Sequence, residues 1–407
     1  NVRKVLYQSP IIIANHSLLL TEAEIPGFLP EFNTVIVDEA HNLVRSAQDH
    51  FKIELHQKSI NNILQMIDPT HPRSKSWNNI LNAIERIEHP IGALRDKLSD
   101  AVGLLQKQFD IFMSELKDDN RNRFDPSRSY QEKPIIYSLE KVYAPVHAEL
   151  DEVRSGCKIL FSSLDRLRKT VLELDPSRVD YTSLHSVFDR GIENVSDLMN
   201  SIILLTENQQ VDWVYWMEGV FRSIGTPRED LRISLHASPI DMAESLTNKF
   251  FNRMDHCVLT SATIRVDDTF DYFLTRTGLD EWDDLVTAEF SSPFYYNDQV
   301  TFYQYGGSKG VTNDAQALAD IVYHVHHTFQ RRTMVLFTSV RMLTNVAGLI
   351  RDKPGGRDLP LFAQSRGASK PAIINGMYQH KHGLLFGTNS FWEGVDLPGD
   401  LLEILIV

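Results

Sequence analysis

At 407 residues and 42% hydrophobic content, the chain can bury the cores of about two to four domains, which excludes a mainly disordered protein. Its formal net charge of −13 excludes a binder that coats nucleic acid with its whole surface, but leaves room for a narrow basic groove. The two cysteines, Cys157 and Cys257, exclude a disulfide framework and any four-cysteine metal site within the chain, and both read as buried small hydrophobes in a reducing cytoplasm.

No apolar run reaches the roughly 18 residues of a membrane span. The opening "NVRKVLYQSPIIIANHS" has no small-residue cleavage site, so no signal peptide is expected. It also lacks an initiator Met and reads as the interior of a longer protein.

In chain order, residues 1–44 read as α/β. "SPIIIANHSLLL" and "TVIVDEAH" are β-branched apolar runs ending in polar residues, as buried parallel strands do. Residues 45–210 read as mostly helical. Apolar residues recur every three or four positions, as in Ile60, Ile63, Leu64 and Ile67, or Trp77, Ile80, Leu81, Ile84 and Ile87. Longer patterns run from Ile91 to Phe112 and from Leu139 through Val146 and Leu160 to Leu174, where Asp175-Pro176 stops the second. Such helices suggest a bundle or arch. The polar segment 118–134 reads as a loop, whose Arg121, Arg123 and Arg128 either face solvent or touch a phosphate backbone.

From about residue 211 strands return. "VDWVYWMEG" and "LRISLHASPI" predict a hairpin. "HCVLTSATI", "RTMVLFTSV" and "GLLFGTNSF" each close on Thr, Ser or Gly, with helical patterns at 315–329 and 340–351 between them. Strand, polar loop and helix in repetition predict a doubly wound α/β sheet with its active loops at the strand C-termini.

The chemistry concentrates at those strand ends. In "TVIVDEAHNL", Asp38 can hold Mg²⁺ against the β- and γ-phosphates of a nucleotide, and Glu39 can orient and deprotonate the attacking water. His41 is placed to sense the γ-phosphate. The competing reading is an acidic N-cap on the next helix. In "VLTSAT", Thr260, Ser261 and Thr263 can bond the carboxylate loop, or form an ordinary Ser/Thr turn. In "LFTS", Thr338 and Ser339 suit a nucleic-acid phosphate, or simply cap a helix. "GTNSFWEGVDLPG" combines Gly387, Gly394 and Gly399 with Glu393 and Asp396, while Phe391 and Trp392 either pack in a core or stack a base.

Asp-Glu-Ala-His, "TSAT", "LFTS" and "SFWEGVDLPG", in this order, resemble motifs II, III, IV and V of superfamily 2 helicases. The wording is similar to the DinG family, bacterial relatives of the XPD helicases. "ANHSLLL", "LHASPID", "SSPFYYNDQV" and "FAQS" also resemble segments of that family. The separation of 219 positions between His41 and Thr260 (260 − 41) resembles the place of the family's inserted Arch domain.

The resemblance implies RecA-like lobes, parallel sheets flanked by helices, with a large, mostly helical Arch-type insertion. Residues 1–44 would be part of lobe 1, 45–210 the insertion, 211–285 the return to lobe 1 and 286–407 lobe 2. Asp38 would coordinate Mg²⁺, Glu39 would be the general base, and His41 with Thr260, Ser261 and Thr263 would couple hydrolysis to movement. Thr338 and Ser339 would contact DNA. Glu393, Gly394 and Asp396 would join the nucleotide site to the DNA track. The implied activity is an ATP-dependent, 5′-to-3′ helicase or translocase on single-stranded DNA that opens forked or duplex DNA, in repair or replication, in the bacterial cytoplasm at the nucleoid. Two other classes stand beside it: a non-catalytic DNA-binding or partner-docking module, and a DinG-like nuclease that does not unwind.

The chain departs from the family in two respects. It contains no G-x-x-x-x-G-K-[ST] phosphate loop, and "GGSKGVT" at 306–312 has the wrong spacing. It also ends before the motif that would supply arginine fingers, so this chain alone is expected to hydrolyse ATP poorly. Any [4Fe-4S] cluster would come from residues outside it.

Overall fold

A computed structural model describes residues 5–74, 78–79, 81–82, 84–85, 91–125, 133–173, 181–222, 230–306, 314–364 and 369–407. The chain divides into two units, Asn1–Glu289 and Phe290–Val407.

The first unit begins with helix α1 (His16–Glu24), strand β1 (Thr34–Val37) and helix α2 (Leu43–Phe51). There follow β2 (Ile53–Leu55), α3 (Gln57–Ile67), α4 (Gly92–Asp119), β3 (Ile135–Ile136), α5 (His147–Leu172), α6 (Tyr181–Thr206), β4 (Trp213–Arg222), β5 (Asp230–Pro239) and β6 (His256–Leu259).

β1 and β6 pair in parallel, Thr34 opposite His256 and Val37 opposite Leu259. Val35 and Val37 face a core with Leu20, Leu43, Phe250 and Phe251. The other face is open, with Ile36 and Val258 exposed on it; Cys257, opposite Val35, is exposed as well, which corrects its expected burial. β6 has only β1 beside it among the described residues. Cys157, by contrast, is buried on α5, and burial pushes its thiol up to about 12.

"SPIIIANHSLLL" is a second correction. No strand forms over 10–15; Ile11 and Ile13 are 79% and 96% exposed. The Asn15 side chain instead accepts from the Leu18 amide and starts α1, satisfying one of the orphan donors of a helix N-terminus. A strand needs a ladder neighbour, and none pairs with this segment among the described residues.

The helices α3 to α6 bury their apolar stripes together. On α5, Val153, Leu160, Leu164, Leu167 and Val171 recur at three- and four-residue spacing and are fully buried. The apolar pattern from Leu139 is interrupted all the same. A short helix ends at Tyr143, one tight turn spans Ala144–Val146, and α5 starts after it. Pro145 has no amide to continue the ladder and clashes with the preceding turn. Leu81 and Ile84 are buried as expected, whereas Trp77, Ile80, Ile87, Arg128 and the Asp175-Pro176 stop lie outside the described residues. Arg121 and Arg123 are exposed on a single tight turn.

The hairpin forms, with Trp213 opposite Pro239 and Arg222 opposite Asp230. Its company differs from expectation. β4 and β5 sit in an antiparallel sheet of order β2-β5-β4-β3, apart from the parallel β1–β6 pair. Period-two alternation turns Tyr215, Met217, Leu231, Ile233 and Leu235 to one face, and that face fills the core shared with α3 to α6. The hairpin therefore packs with the helical segment, rather than with β1 and β6 as the boundary at 211 would have it.

The other face of this sheet carries a buried polar group. The Trp216 indole donates to Glu218 at 3.0 Å, Lys133 pairs with the same carboxylate at 2.8 Å, and Ser234 Oγ lies 2.7 Å from His236 Nε2. Burial holds the His236 imidazole below its ordinary value, outweighing the attraction of Glu218 and Glu54, so the folded state keeps it neutral. The unfolded chain then binds more protons, and stability is lost as pH falls below about 6.5. Denaturant midpoints measured from pH 7.5 down to 5.5 should fall, and should fall less in His236→Gln; identical slopes would contradict this.

The second unit contains α7 (Asp314–Phe329), β7 (Thr333–Leu336), α8 (Val340–Arg351), β8 (Leu361–Ala363), α9 (Lys370–Gln379), β9 (Leu384–Gly387) and β10 (Ile404–Ile406). All neighbours in the order β10-β7-β9-β8 are parallel, and every residue of β7 and β9 is buried. Parallel strands alternating with helices are the expected α/β architecture of RecA-like lobes. The segment 290–306 is exposed, with one helical turn at Tyr296–Gln299; most of "GGSKGVT" lies outside the described residues. No described helix is long and apolar enough to cross a membrane.

Candidate nucleotide and nucleic-acid site

In each unit the candidate residues gather at the carboxyl ends of parallel strands, where open α/β sheets bind ligands. In the first unit β1 and β6 end in register. Their ladder continues into the loops: Thr260 N donates to Val37 O at 2.9 Å, and Ala40 N to Thr260 O at 3.0 Å. These two bonds hold the Asp38-Glu39-Ala40 turn against Thr260-Ser261.

Asp38 and Glu39 are both exposed. Glu39 has φ +50° and ψ +43°, a left-handed conformation that costs a non-glycine residue about 1 kcal/mol or more. The turn separates two neighbouring carboxylates. Asp38 Oδ1 accepts from the Glu39 amide at 2.9 Å, while Glu39 Oε2 lies 3.4 Å from His41 Nδ1. Neither carboxylate caps a helix: no side-chain cap bond forms on the turn Ala40–Asn42 or at the start of α2. The N-cap alternative is therefore not what the structure builds.

His41 joins the two loops. Its Nδ1 lies 2.8 Å from Ser261 Oγ, and Asn42 Nδ2 donates to Nε2 at 3.0 Å, which leaves Nδ1 as the protonated nitrogen. Ser261 Oγ also accepts from Thr263 N at 3.2 Å, so the serine turn and the histidine contact coexist. His41, Asn42, Thr260, Ser261 and Thr263 thus come together.

Sequence reasoning missed the role of His16. Its Nε2 donates to the Asp38 carbonyl at 2.9 Å, and Ser46 Oγ lies 3.5 Å from Nδ1. A carbonyl only accepts, so the Nε2 tautomer is fixed. The signal was the histidine in "ANHSLLL", but nothing in the sequence told which atom it would hold.

In the second unit β7 leads to exposed Thr338 and Ser339. Ser339 Oγ accepts from Met342 N at 3.1 Å and caps α8, as the plainer reading had it. The loop after β9 is stapled by Gln364, whose Oε1 accepts from Thr388 N at 2.9 Å and Thr388 Oγ1 at 2.7 Å, while its Nε2 donates to Ser390 Oγ at 3.1 Å. Lys370 Nζ donates to the carbonyls of Ser390, Glu393 and Gly394 at 2.6, 3.2 and 3.1 Å. Gln364 stood in the quoted "FAQS", but Lys370 carried no signal. Gly394 has φ +65°, and Glu393 and Asp396 are exposed. Phe391 is buried and Trp392 is 44% exposed, so the two aromatics divide between core and surface.

Mg²⁺ needs one or two carboxylates, with phosphates and water supplying the other ligands. Asp38 fits this, with an exposed carboxylate and only one oxygen in a protein hydrogen bond among the described residues. No group of three or more His, Cys, Asp or Glu suited to hold a metal occurs among the described residues.

Residues 322–407 match the family model described as helicase C-terminal domain. A protein named 3'-5' exonuclease DinG from Bacillus subtilis is 26% identical over all of this chain and 44% of its own length. An ATP-dependent DNA helicase YoaA from Haemophilus influenzae is 24% identical over all of this chain and 56% of its own length. An ATP-dependent DNA helicase DinG from Photobacterium profundum is 24% identical over all of this chain and 58% of its own length. The chain thus spans about half the length of the curated relatives it matches. With its ordered motifs at parallel strand ends, its match to the helicase C-terminal domain and its similarity along the whole chain to these proteins, the chain is similar to the DinG and YoaA helicases.

Proposed function

We propose that this chain is part of an ATP-dependent DNA helicase that moves 5′ to 3′ along single-stranded DNA and opens forked or duplex DNA. The observation that supports it most is the His41–Ser261 bridge between the carboxylate turn and the neighbouring strand-end loop. That contact gives one loop a way to register what happens at the other.

In this reading Asp38 holds Mg²⁺ and Glu39 orients the attacking water and takes its proton. The metal, when bound with ATP, neutralises charge developing on the transferred phosphoryl group. His16 keeps the Asp38 backbone in place, and His41 passes the change at Glu39 to Ser261, Thr260 and Thr263. Thr338 and the Ser339 backbone serve DNA phosphates, and Glu393, Gly394 and Asp396 serve the nucleotide and DNA contacts. Residues 1–44 and the stretch after the hairpin form lobe 1, the segment between them the Arch-type insertion, and 290–407 lobe 2. A role in repair or replication puts the protein in the bacterial cytoplasm at the nucleoid.

Strand displacement by the complete protein tests polarity and activity together. Duplexes with a 5′ tail should open with ATP, and those with a 3′ tail should not. Opening from the 3′ tail, or ATP-independent shortening of the DNA, would contradict the reading; the latter would favour the nuclease suggested by the name of the Bacillus subtilis relative.

The bridge has its own test. Ser261→Ala removes the bridge to His41, worth about 0.5–1.5 kcal/mol net, together with the turn bond from Thr263 N. The ratio of DNA-stimulated to basal ATP turnover should therefore fall roughly 2–10-fold. An unchanged ratio would remove Ser261 from the coupling path.

A further inference from the structure

We propose that a groove between α4 and α5 of the helical segment holds the phosphate backbone of duplex DNA. The groove encloses about 340 Å³. Lys97 of α4 faces Ser155, Lys158, Ser162, Ser163 and Arg166 of α5 across it.

The charges are the first argument. Lys97, Lys158 and Arg166 are exposed, and none of them makes an ion pair among the described residues. Four cations near them on the same two helices are paired. Arg95 bonds Glu85, Arg154 bonds Asp151 and Glu207, Arg168 bonds Asp189, and Lys169 bonds Asp165. On a chain of net charge −13, carboxylates quench these four and leave the groove's own three unquenched.

Spacing is the second argument. The α5 residues 155, 158, 162 and 166 form one helical stripe opposite the buried stripe of Val153, Leu160, Leu164 and Leu167, with half-buried Ser163 at its edge. From Ser155 to Arg166 is 11 residues (166 − 155), or about 16 Å of helix. One strand of B-DNA offers a phosphate about every 3.4 Å along its axis, so the stripe matches about five phosphates. Ser162 gives its proton to the Lys158 carbonyl at 2.8 Å; Ser155 and Ser163 have no such partner among the described residues and can donate to phosphate oxygens.

The lining also separates duplex from single strand. Its apolar members are Leu94 and Ile159, and no aromatic side chain lines it. Single-strand tracks stack exposed bases on aromatic rings. A groove whose polar lining is cations and hydroxyls, with no aromatic ring, suits a duplex, whose bases are turned inward and whose backbone is the contact surface.

The choice of DNA as occupant rests on the helicase reading, but the test is separate from it. Affinity of the complete protein for a blunt duplex and for a single-stranded oligonucleotide is measured from 50 to 200 mM salt. In Lys97→Gln/Lys158→Gln/Arg166→Gln the slope of log affinity against log salt on the duplex should shrink by about 2.7, or ~0.9 for each lost phosphate contact, with single-strand affinity unchanged. Arg154→Gln/Arg168→Gln/Lys169→Gln makes the same charge change outside the groove and should leave the duplex slope as it was. Should the groove variant melt early, Lys158→Gln and Arg166→Gln alone should each remove about 0.9. An unchanged duplex slope, equal losses on both DNA forms, or an equal loss in the control variant each overturns the proposal. Failure of the helicase reading shows elsewhere, as ATP turnover by the unaltered protein that single-stranded DNA does not raise.

Discussion

Glu39→Gln lowers ATP turnover by about 10²–10⁴-fold while nucleotide binding is retained, the range expected when a positioned general base is removed. Gln keeps the length of the side chain and its capacity to contact water, but it cannot take a proton. The backbone argues for a specific role. Glu39 sits in a left-handed conformation that a Gly or Asn would adopt at lower cost, and it makes no cap bond in return. Its carboxylate instead stands 3.4 Å from His41 Nδ1, one step from the Ser261 bridge. The check is steady-state turnover beside ATP affinity on the complete protein. Turnover within a few-fold of normal would remove Glu39 from the chemistry, and loss of binding with turnover would point to a nucleotide contact instead.

The second large effect lies in the other unit. Gly387→Ala should destabilise it by about 1–3 kcal/mol, the usual range for overpacking. A Cβ at Gly387 would stand 2.5 Å from Phe391 Cβ and 2.6 Å from its Cγ. Those atoms are the root of the Phe391 side chain and cannot swing aside. The turn Asn389–Trp392 must shift, and with it the Glu393–Asp396 loop, which Lys370 and Gln364 hold from the other side. Melting temperature should fall by several degrees. Phe391→Leu alone also destabilises, but in the double variant the two losses should sum to less than their separate values. Strict additivity would mean that the close approach of Gly387 and Phe391 does not limit this loop.

Elements whose cause is local were legible in the sequence. Apolar runs ending on Asp38, Thr260, Thr338 and Thr388 predicted strand ends, and three- and four-residue periodicity predicted α4, α5, α7 and α8. The α/β class follows from these alone. What escaped depends on contacts distant in sequence. The hairpin itself was readable, but its attachment to the helical segment rests on Leu235 and Tyr215 meeting helices far along the chain. Pro145 was visible, yet the apolar spacing through it was regular enough to hide the break. Ile11, Ile13 and Cys257 looked buried because an apolar run does not say whether a strand or a layer covers it.

The site divides in the same way. Asp38, Glu39, His41 and Ser261 announced themselves by type and order, and the structure brings them together. His16, Gln364 and Lys370 act through backbone carbonyls and loop amides. Such contacts leave no pattern, since any suitably placed donor would do.

In the proposed function, ATP hydrolysis is coupled to single-stranded DNA. The most direct measurement is steady-state ATP turnover by the complete protein, with and without a single-stranded oligonucleotide, in the presence of Mg²⁺. Turnover should rise with the oligonucleotide and saturate. Turnover that is absent in both conditions, or present and indifferent to DNA, would contradict this coupling.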